Sequence, residues 1–422
     1  MKKPNEKQIL IYADWEALGK PTLMGTLTST LLRGKEIFAF EYEDNWLKHH
    51  NTLYLDPNLG MYNGRQFLPD HKANFGIFHD SSPDRWGRVL MKRREAILAR
   101  NEDRNPNPFF ESDYLLGVFD LHRMGAIRFK LKVDGPFLND NKTHATPPWA
   151  DLRNLEYLIK EYELDDESNP PLSIQWLNLL IAPGSSLGGA RPKASVIDPQ
   201  GNLWIAKFPS QNDHYDIAAW EMVAHHLALQ AGLHVPPAQI KTLASPYHTF
   251  LSQRFDRTAT GGRTHFASAM TLLGYQDGDN HATGASYLDL VAFIQQQGAA
   301  VNQDLEELWR RIVFNICISN TDDHLRNHGF LLTQQGWRLS PAYDINPTAH
   351  ATGLTLNISE NDNSLNLDIA RDIAPYFRLT KVKNEKLLDS IIATVKDWKA
   401  IATHYAIPPS QIQSMSTAFS HF

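Results

Sequence analysis

The sequence predicts an α+β protein with a β-rich first half and a helical second half. In the first half, Gln8–Asp14 and Lys35–Tyr42 alternate apolar and polar residues, the period of two that is typical of half-buried strands. In the second half, between residues 286 and 318, apolar residues recur every three or four positions, which indicates amphipathic helices. Strands followed by helices in this order predict two lobes of different composition.

Composition narrows the class of protein. The chain has 422 residues, 42% of them hydrophobic, and a net charge of −6, so we expect two or three packed units and no global basic footprint for nucleic acid. The single cysteine, Cys317, excludes an internal disulfide and a multi-cysteine zinc site. The N-terminus becomes polar too early for a signal peptide, and no run is long enough for a membrane span. These features predict a cytoplasmic protein with no membrane contact.

Residues 1–140 are predicted to form an N-terminal subdomain. It begins with a small β-rich module and continues with a helix for which Asp80 or Ser81 is the expected cap, with Pro83 in the first turn. The helix carries Arg85, Arg88, Lys92, Arg93 and Arg94. These basic residues leave two interpretations open, a solvated face or a surface for a partner or nucleic acid. Residues 133–149 are rich in Pro, Gly, Asn and Thr, which predicts a linker and a boundary near residue 140.

Residues 141–256 are predicted to form the second unit, which is the smaller of the two lobes. It contains a glycine-rich loop. The sequence PGSSLGGARPKA (183–194) combines three glycines and two serines before a predicted strand. Glycine allows backbone N–H groups to wrap a phosphate. The loop is not a Walker A sequence, because no Lys-Ser/Thr pair follows Gly189. Taken alone, such a loop is more typical of a plain turn.

A lysine and a glutamate strengthen the phosphate interpretation. Lys207 lies near the end of the predicted strand LWIAKF (203–208), where a kinase small lobe places a lysine that contacts phosphates. Its expected partner is Glu221 on the following predicted helix, whose start at Asp216 suits the positive end of the helix dipole. Lys193 is expected to neutralise a phosphate at the edge of the loop.

The strand TFLSQRFDR (249–257) is predicted to leave the small lobe as a hinge. In a kinase, backbone groups of this segment meet adenine, and Phe255 is expected to pack on the base. The charged residues of RFDR leave a second interpretation open, in which they lock two lobes together.

Residues 257–422 are predicted to form a helical C-terminal lobe around SNTDDHLRNHGFLLTQQGWRLSPAYDINP (319–347). Phosphoryl transfer on a kinase-like scaffold needs one carboxylate beside the substrate hydroxyl, and an Asn and a second Asp that hold magnesium. Asp322, Asn327 and Asp344 provide this set, and a predicted hairpin over residues 329–340 would bring the last two together. The residues alone leave ordinary Asx turns open as well. Later helices are predicted over residues 365–373, 383–400 and 409–419.

These motifs, in this order, resemble the HipA family, serine/threonine kinases that are toxins of bacterial toxin–antitoxin modules. SSLGGARPKA resembles the family's phosphate loop, WIAKFPS its lysine strand and QRFDR its hinge. NTDDHLRNHGF and LSPAYDINP resemble its catalytic and metal-binding segments. FGIFHDSSPDRWGR, MGAIRF and the tail from Tyr376 to Phe419 are also similar, so the resemblance covers most of the chain. It implies a two-lobed, protein-kinase-like fold of HipA type.

The resemblance also implies roles for individual residues. Asp322 would be the catalytic base, Asn327 and Asp344 the Mg²⁺ ligands, and Lys207 the lysine that contacts phosphate. Residues implied to contact ATP are Ser185, Ser186, Gly188, Gly189, Ala190, Lys193, Lys207, Gln253, Phe255 and His324.

Two positions are special within this resemblance. Ser186 matches the loop serine that autophosphorylates in the family and inactivates the kinase, and the adjacent Ser185 leaves open which serine is used. The family often has glycine where this chain has Asp323, so the extra carboxylate is expected to alter metal binding.

The implied partners are a protein substrate, for which the family offers aminoacyl-tRNA synthetases, and a small helix-turn-helix antitoxin. DNA would be contacted only indirectly, through that antitoxin. Two alternatives stay open at this point, because a fold does not fix a substrate. One is a small-molecule kinase on the same scaffold, and the other is a non-catalytic binding protein that keeps the fold.

Overall fold

The computed structural model describes residues 5–69, 71–140, 147–164 and 191–422. The chain forms two compact units, the first made of Met1–Gln211 with Asp256–Ala267 and the second of Asn212–Phe255 with Ser268–Phe422. The predicted division into three parts at residues 140 and 256 stays a prediction. Within the described ranges, no helix combines the length and the hydropathy that are needed to cross a bilayer.

An antiparallel sheet of five strands organises the first unit, in the order β4-β3-β2-β1-β5. The strands are β1 (Asn5–Ala13), β2 (Thr22–Leu32), β3 (Lys35–Tyr42), β4 (Gln66–Phe67) and β5 (Ile127–Lys130). Alternation along these strands buries Ile9, Ile11, Leu27, Phe40 and Phe129 completely. The predicted β-rich module is confirmed, and β3 has the predicted bounds.

The described helices of the first unit are α1 (Asp44–His50), α2 (Gly76–His79), α3 (Arg85–Asn101), α4 (Glu111–Gly117) and α5 (Leu152–Leu164). The predicted cap at Asp80 or Ser81 is wrong. The Oδ1 of Asp84 accepts a hydrogen bond from the backbone N of Gly87 at 2.8 Å and caps α3. The Oγ of Ser81 instead donates back to the carbonyl of Ile77 at 3.4 Å, so this serine completes α2 rather than starting α3.

The basic residues of α3 do not form one uninterrupted solvated face. Arg88 forms a bidentate pair with Glu111 of α4 at 2.6 and 2.7 Å, and the guanidinium of Arg93 lies 4.6 Å from the ring centre of Tyr162 in α5. These contacts pack α3 against α4 and α5, while Arg85 remains exposed.

The first unit also contains a hairpin of β6 (Lys193–Ile197) and β7 (Leu203–Lys207). Its turn is built by Asp198, whose carboxylate accepts from the backbone N of Gln200 and Asn202 and from the indole of Trp204 at 2.8–2.9 Å. The antiparallel register places Lys193 opposite Lys207.

The second unit begins with α6 (Ile217–Gln230) and the antiparallel strands β8 (Ala238–Thr242) and β9 (His248–Gln253). Asp216 caps α6, because its Oδ1 accepts from the backbone N of Ala219 at 3.0 Å. The same carboxylate contacts Nδ1 of His248 at 2.5 Å and so ties the start of the helix to β9. Met222 of α6 and Phe250 of β9 belong to one buried apolar cluster.

The later elements are β10 (Phe266–Ser268), α7 (Ala269–Leu273), α8 (Tyr287–Gln297), α9 (Val301–Ile318), β11 (Gly329–Thr333), β12 (Gly336–Leu339), α10 (Leu367–Ile373), α11 (Lys381–Val395), α12 (Trp398–His404) and α13 (Pro409–Met415). The predicted hairpin is confirmed as β11 and β12. The single helix predicted over residues 383–400 is wrong, since α11 ends at Val395 and α12 begins at Trp398. Trp398 stacks on Phe419 with ring centres 4.2 Å apart, and this tertiary packing outweighs the continuous helical period of the sequence.

Candidate active site

The loop between α9 and β11 carries most of the predicted catalytic residues. It starts at Ser319, whose φ of 52° is left-handed, an uncommon conformation for a residue with a side chain. The Oγ of Ser319 donates to the carbonyl of Ala418 at 2.8 Å. This contact fixes the direction in which the chain leaves α9.

Asp322, the predicted base, is exposed. Desolvation raises the pKa of its carboxyl above the ordinary value, and the negative charges of Asp344 and Asp323 raise it further, while His324 opposes them. A carboxylate with a raised pKa is a better proton acceptor near neutral pH. Asp322 therefore has the exposure and the electrostatics of a general base.

Asn327, a predicted metal ligand, is only 3% exposed. Its Nδ2 donates to the backbone carbonyl of Asp322 at 2.8 Å, which fixes the orientation of the carboxamide. Its Oδ1 is buried and has no hydrogen-bond partner among the described residues. Leaving a buried acceptor unpaired costs about 1–3 kcal/mol, so this oxygen is suited to a bound ligand.

Asp344, the second predicted metal ligand, follows the β11–β12 hairpin and has a left-handed φ of 59°. The preceding Tyr343 donates its hydroxyl to the carbonyl of Arg326 at 2.7 Å, so the segment of Asp344 is tied to the loop of Asn327. The negative charge of Asp344 also raises the pKa of Asp322, as expected for two carboxylates on adjacent segments of one site. Oxygen atoms of this kind fit magnesium, which prefers a few carboxylate or amide ligands beside phosphates and water.

Asp323 does not belong to this group of site oxygens. It is buried, and its Oδ2 accepts hydrogen bonds from the Tyr287 hydroxyl, from Asn315 Nδ2 at 2.7 Å and from His328 Nε2 at 2.9 Å. Burial alone would raise its pKa, but the contact with His328 and the other hydrogen bonds hold the pKa below the ordinary value. None of these three partners is predicted from the sequence. The signal was available for Asn315, a polar residue inside the apolar run VFNICI.

Three further predicted ATP contacts lie in the second unit. The backbone N of His324 donates to the carbonyl of Asp322 at 2.9 Å, and its Nδ1 is buried with no hydrogen-bond partner in the described part of the chain. The ring of Phe255 packs against Tyr343 with centres 5.6 Å apart, beside the segment of Asp344. Gln253 ends β9 and is half-buried. Their contact with a nucleotide stays a prediction.

Two predicted site residues of the first unit, Lys207 and Lys193, lie within the described ranges. Lys207 ends β7 and is half-buried. Lys193 is 4% exposed, and its Nζ lies 3.1 Å from Oδ2 of Asp84, the cap of α3. The predicted loop contacts Ser185, Ser186, Gly188, Gly189 and Ala190 lie outside the described residues. In the second unit, Glu221 is buried on α6. Its predicted pairing with Lys207 stays a prediction.

Comparison with known proteins identifies the family. A family model described as the HipA-like C-terminal domain matches residues 185–405, more than half of the chain. A curated protein of Haemophilus influenzae, provisionally named a kinase, is 26% identical over 180 residues, which are 38% of this chain and 52% of that protein. Y4mE of Sinorhizobium fredii, also provisionally named a kinase, is 25% identical over 181 residues, 38% of this chain and 41% of that protein. The chain thus matches about half, or less, of the length of these curated relatives.

A solved structure shows the same fold over nearly the full length. HipA of Shewanella oneidensis, in a complex with HipB and operator DNA, aligns with a TM-score of 0.61 and 17% identity, and the alignment covers 98% of this chain and 95% of that chain. This similarity confirms the predicted α+β, protein-kinase-like fold of HipA type. The matched domain contains Asp322, Asn327 and Asp344. The chain belongs to the HipA family.

Proposed function

We propose that the chain is an ATP- and magnesium-dependent serine/threonine protein kinase of HipA type. The observation that carries the proposal is the state of Asn327. Its amide group is oriented by the backbone of Asp322 at 2.8 Å, while its buried Oδ1 has no partner within the described ranges. In a protein kinase the asparagine that binds magnesium lies on the same loop as the base. In most structural asparagines, both ends of the buried amide are hydrogen-bonded.

Each side chain of the proposed site then has a separate role. Asp322 accepts the proton of the substrate hydroxyl, and its raised pKa assists this transfer. Asn327 Oδ1 and the Asp344 carboxylate hold the metal. Magnesium, when bound, neutralises negative charge on the phosphates. Lys207 contacts the phosphates, and the glycine-rich loop with His324 and Phe255 completes the ATP site.

We further propose that the protein acts in the cytoplasm as the toxin of a toxin–antitoxin module. The structure of Shewanella HipA supports this, because that protein is in a complex with HipB and operator DNA. A small helix-turn-helix antitoxin would be the partner here and would provide the contact with DNA. The substrate would be a protein, with an aminoacyl-tRNA synthetase as the first to test. Phosphorylation of Ser186 or Ser185 by the kinase itself would switch it off.

Transfer of radiolabelled phosphate from ATP tests the activity. The purified chain, incubated with Mg²⁺ and ATP, should label itself or casein, and Asp322→Gln should lower the rate by about a hundredfold or more. Asp389→Asn is the matched control, since it removes an exposed carboxylate on α11. Labelling that is equal in the wild type and Asp322→Gln would refute the proposed mechanism, and a wild type that labels neither protein would refute the activity.

A further inference from the structure

A set of buried polar side chains lies beneath the catalytic loop in the second unit. Tyr287, Asn315, Asn320, Asp323 and His328 are each at most 4% exposed. Burying polar groups is costly unless they are hydrogen-bonded, and a buried hydrogen-bond network specifies one arrangement of the elements that it joins. We call these five residues the buried network.

One end of the buried network is hydrogen-bonded to the chain segment that contains Asp322, the proposed base. The Oδ2 of Asp323, the residue after Asp322, receives hydrogen bonds from α8 through Tyr287, from α9 through Asn315 and from the end of the loop through His328. The contact with His328 requires the proton on Nε2. Because three donors converge on one oxygen, the peptide that follows Asp322 cannot shift without breaking them.

The other end of the buried network is hydrogen-bonded to the chain segment that follows Asp344, the proposed metal ligand. Asn315 Oδ1 accepts from Asn320 Nδ2 at 3.0 Å, and Asn320 Oδ1 accepts from the backbone N of Asn346 at 3.4 Å. Beside it, the carbonyl of Ser319 accepts from the backbone N of Thr348 at 3.1 Å. Asn346 lies two residues after Asp344. Asn315 therefore connects the segments of Asp322 and Asp344 through the end of α9.

We propose that Asn315 and Asp323 are positioning residues that keep the base segment and the metal segment in register for phosphoryl transfer. This inference rests on the proposed function, and neither residue touches a reacting atom. Displacement of a catalytic group by about 1 Å can cost about a hundredfold in rate. The carboxylate at position 323 thus orients its neighbour instead of binding metal or accepting the substrate proton.

The first test exchanges the two side chains. In Asp323→Asn, the negative charge is lost and one carboxylate oxygen becomes an amide N–H₂; where this group takes the place of Oδ2, it faces the donors of Asn315, Tyr287 and His328. In the double variant Asn315→Asp/Asp323→Asn, the new amide at position 323 donates to the new carboxylate at position 315. That carboxylate still accepts from Asn320, so the pairing is restored in the opposite direction.

We expect the maximal rate of phosphate transfer to casein or to the chain itself to fall about 10- to 100-fold in Asp323→Asn. The double variant should recover part of this rate, because the hydrogen bond between positions 315 and 323 is restored. The ATP concentration at half-maximal rate should change little in either variant, since neither side chain is proposed to contact the nucleotide.

The second test keeps the charge and the shape of the interior. Tyr287→Phe removes one donor from Asp323, and Tyr275→Phe removes a comparable hydrogen bond, from Tyr275 to Asp289 at 3.0 Å, outside the buried network. Tyr287→Phe should lower the maximal rate several-fold relative to Tyr275→Phe, with both variants folded at the assay temperature.

The outcomes separate the two proposals. A wild type that transfers no phosphate overturns the proposed function and this inference with it. An active wild type with Asp323→Asn and Tyr287→Phe as fast as Tyr275→Phe overturns the inference alone. If Asp323→Asn does not fold, the comparison of the two tyrosine variants decides.

Discussion

Asn327 donates its side-chain amide to the backbone carbonyl of Asp322 at 2.8 Å, so one hydrogen bond closes the loop between the proposed base and a proposed metal ligand. The short spacing lets the side chain reach back over a single turn. Among the described residues nothing pairs with Oδ1 at the other end of the amide, and its direction fixes the side of the loop on which a metal ion would bind.

Replacement of Asp344 by Asn tests the metal site. Asn and Asp both tolerate the left-handed conformation found here, with φ 59°, so the substitution removes charge with little change in backbone strain. We expect the magnesium concentration at half-maximal activity to rise about tenfold or more, equivalent to about 1.4 kcal/mol. Titration of activity with Mg²⁺, beside the control Asp389→Asn, measures this. An unchanged magnesium requirement would remove Asp344 from the site.

The pH dependence of the rate tests Asp322. Activity should fall as the pH drops through the raised pKa of Asp322, at a higher pH than an ordinary aspartate at about 3.9 would give. Because His324 lowers this pKa, His324→Gln should move the acid limb of the profile to still higher pH. Both profiles are recorded at saturating ATP. An acid limb that does not move in His324→Gln contradicts the electrostatic coupling of the two residues.

A double-mutant cycle separates two roles of Lys193. Its buried pair with Asp84 predicts that Lys193→Met destabilises the protein by about 3–5 kcal/mol, because the buried Asp84 carboxylate loses the opposite charge of Lys193. Adding Asp84→Asn should restore much of the stability. Denaturant unfolding gives these free energies. The affinity of the double variant for ATP then tests the phosphate role, and a large loss would show that Lys193 also contacts the nucleotide.

Mass spectrometry tests the loop serines. A phosphoserine adds about −1.5 to −2 charges where, under the proposed function, the phosphates of the nucleotide would bind. We therefore expect the modified loop to turn outward, and Arg191, which follows the loop in the sequence, is the candidate partner for the new charge. After incubation with ATP and Mg²⁺, phosphate should appear on Ser186 or Ser185 and should be absent in Asp322→Gln. A fully active enzyme with stoichiometric phosphate on Ser186 would contradict this regulation.

A buried histidine predicts acid sensitivity of the first unit. His265 is 1% exposed and stacks on Trp15, and burial lowers its pKa to about 3. Only the unfolded chain binds its proton between about pH 6.5 and 3, so stability is lost as the pH falls below 6.5, by up to about 1.4 kcal/mol per pH unit. His265→Phe keeps a stacking ring but cannot be protonated. Its melting temperature should fall less than that of the wild type between about pH 7 and 5, and equal losses would disprove the assignment.

The sequence predicts those features that depend on neighbouring residues. The β11–β12 hairpin follows from a short spacing in the sequence, and it is found. The predicted start of α3 is wrong because the serine side chains before it bond backward to α2, a competition that propensity does not reveal. The partners of Asp323 on α8 and α9 come from other parts of the chain, so only the folded structure brings them to the carboxylate.

Aromatic residues that pack against α6 also affect the order in which the protein folds during synthesis. Trp220 of this helix is packed by Trp398 and Phe419, with ring centres 6.2 and 6.3 Å away, and these two residues are translated long after it. Chains generally fold as units while they leave the ribosome, but α6 lacks this part of its apolar cover until α12 and Phe419 have emerged. The helix that carries Glu221 therefore reaches its final packing late, and a nascent chain that stops before Trp398 would expose Trp220 to chaperones and proteases.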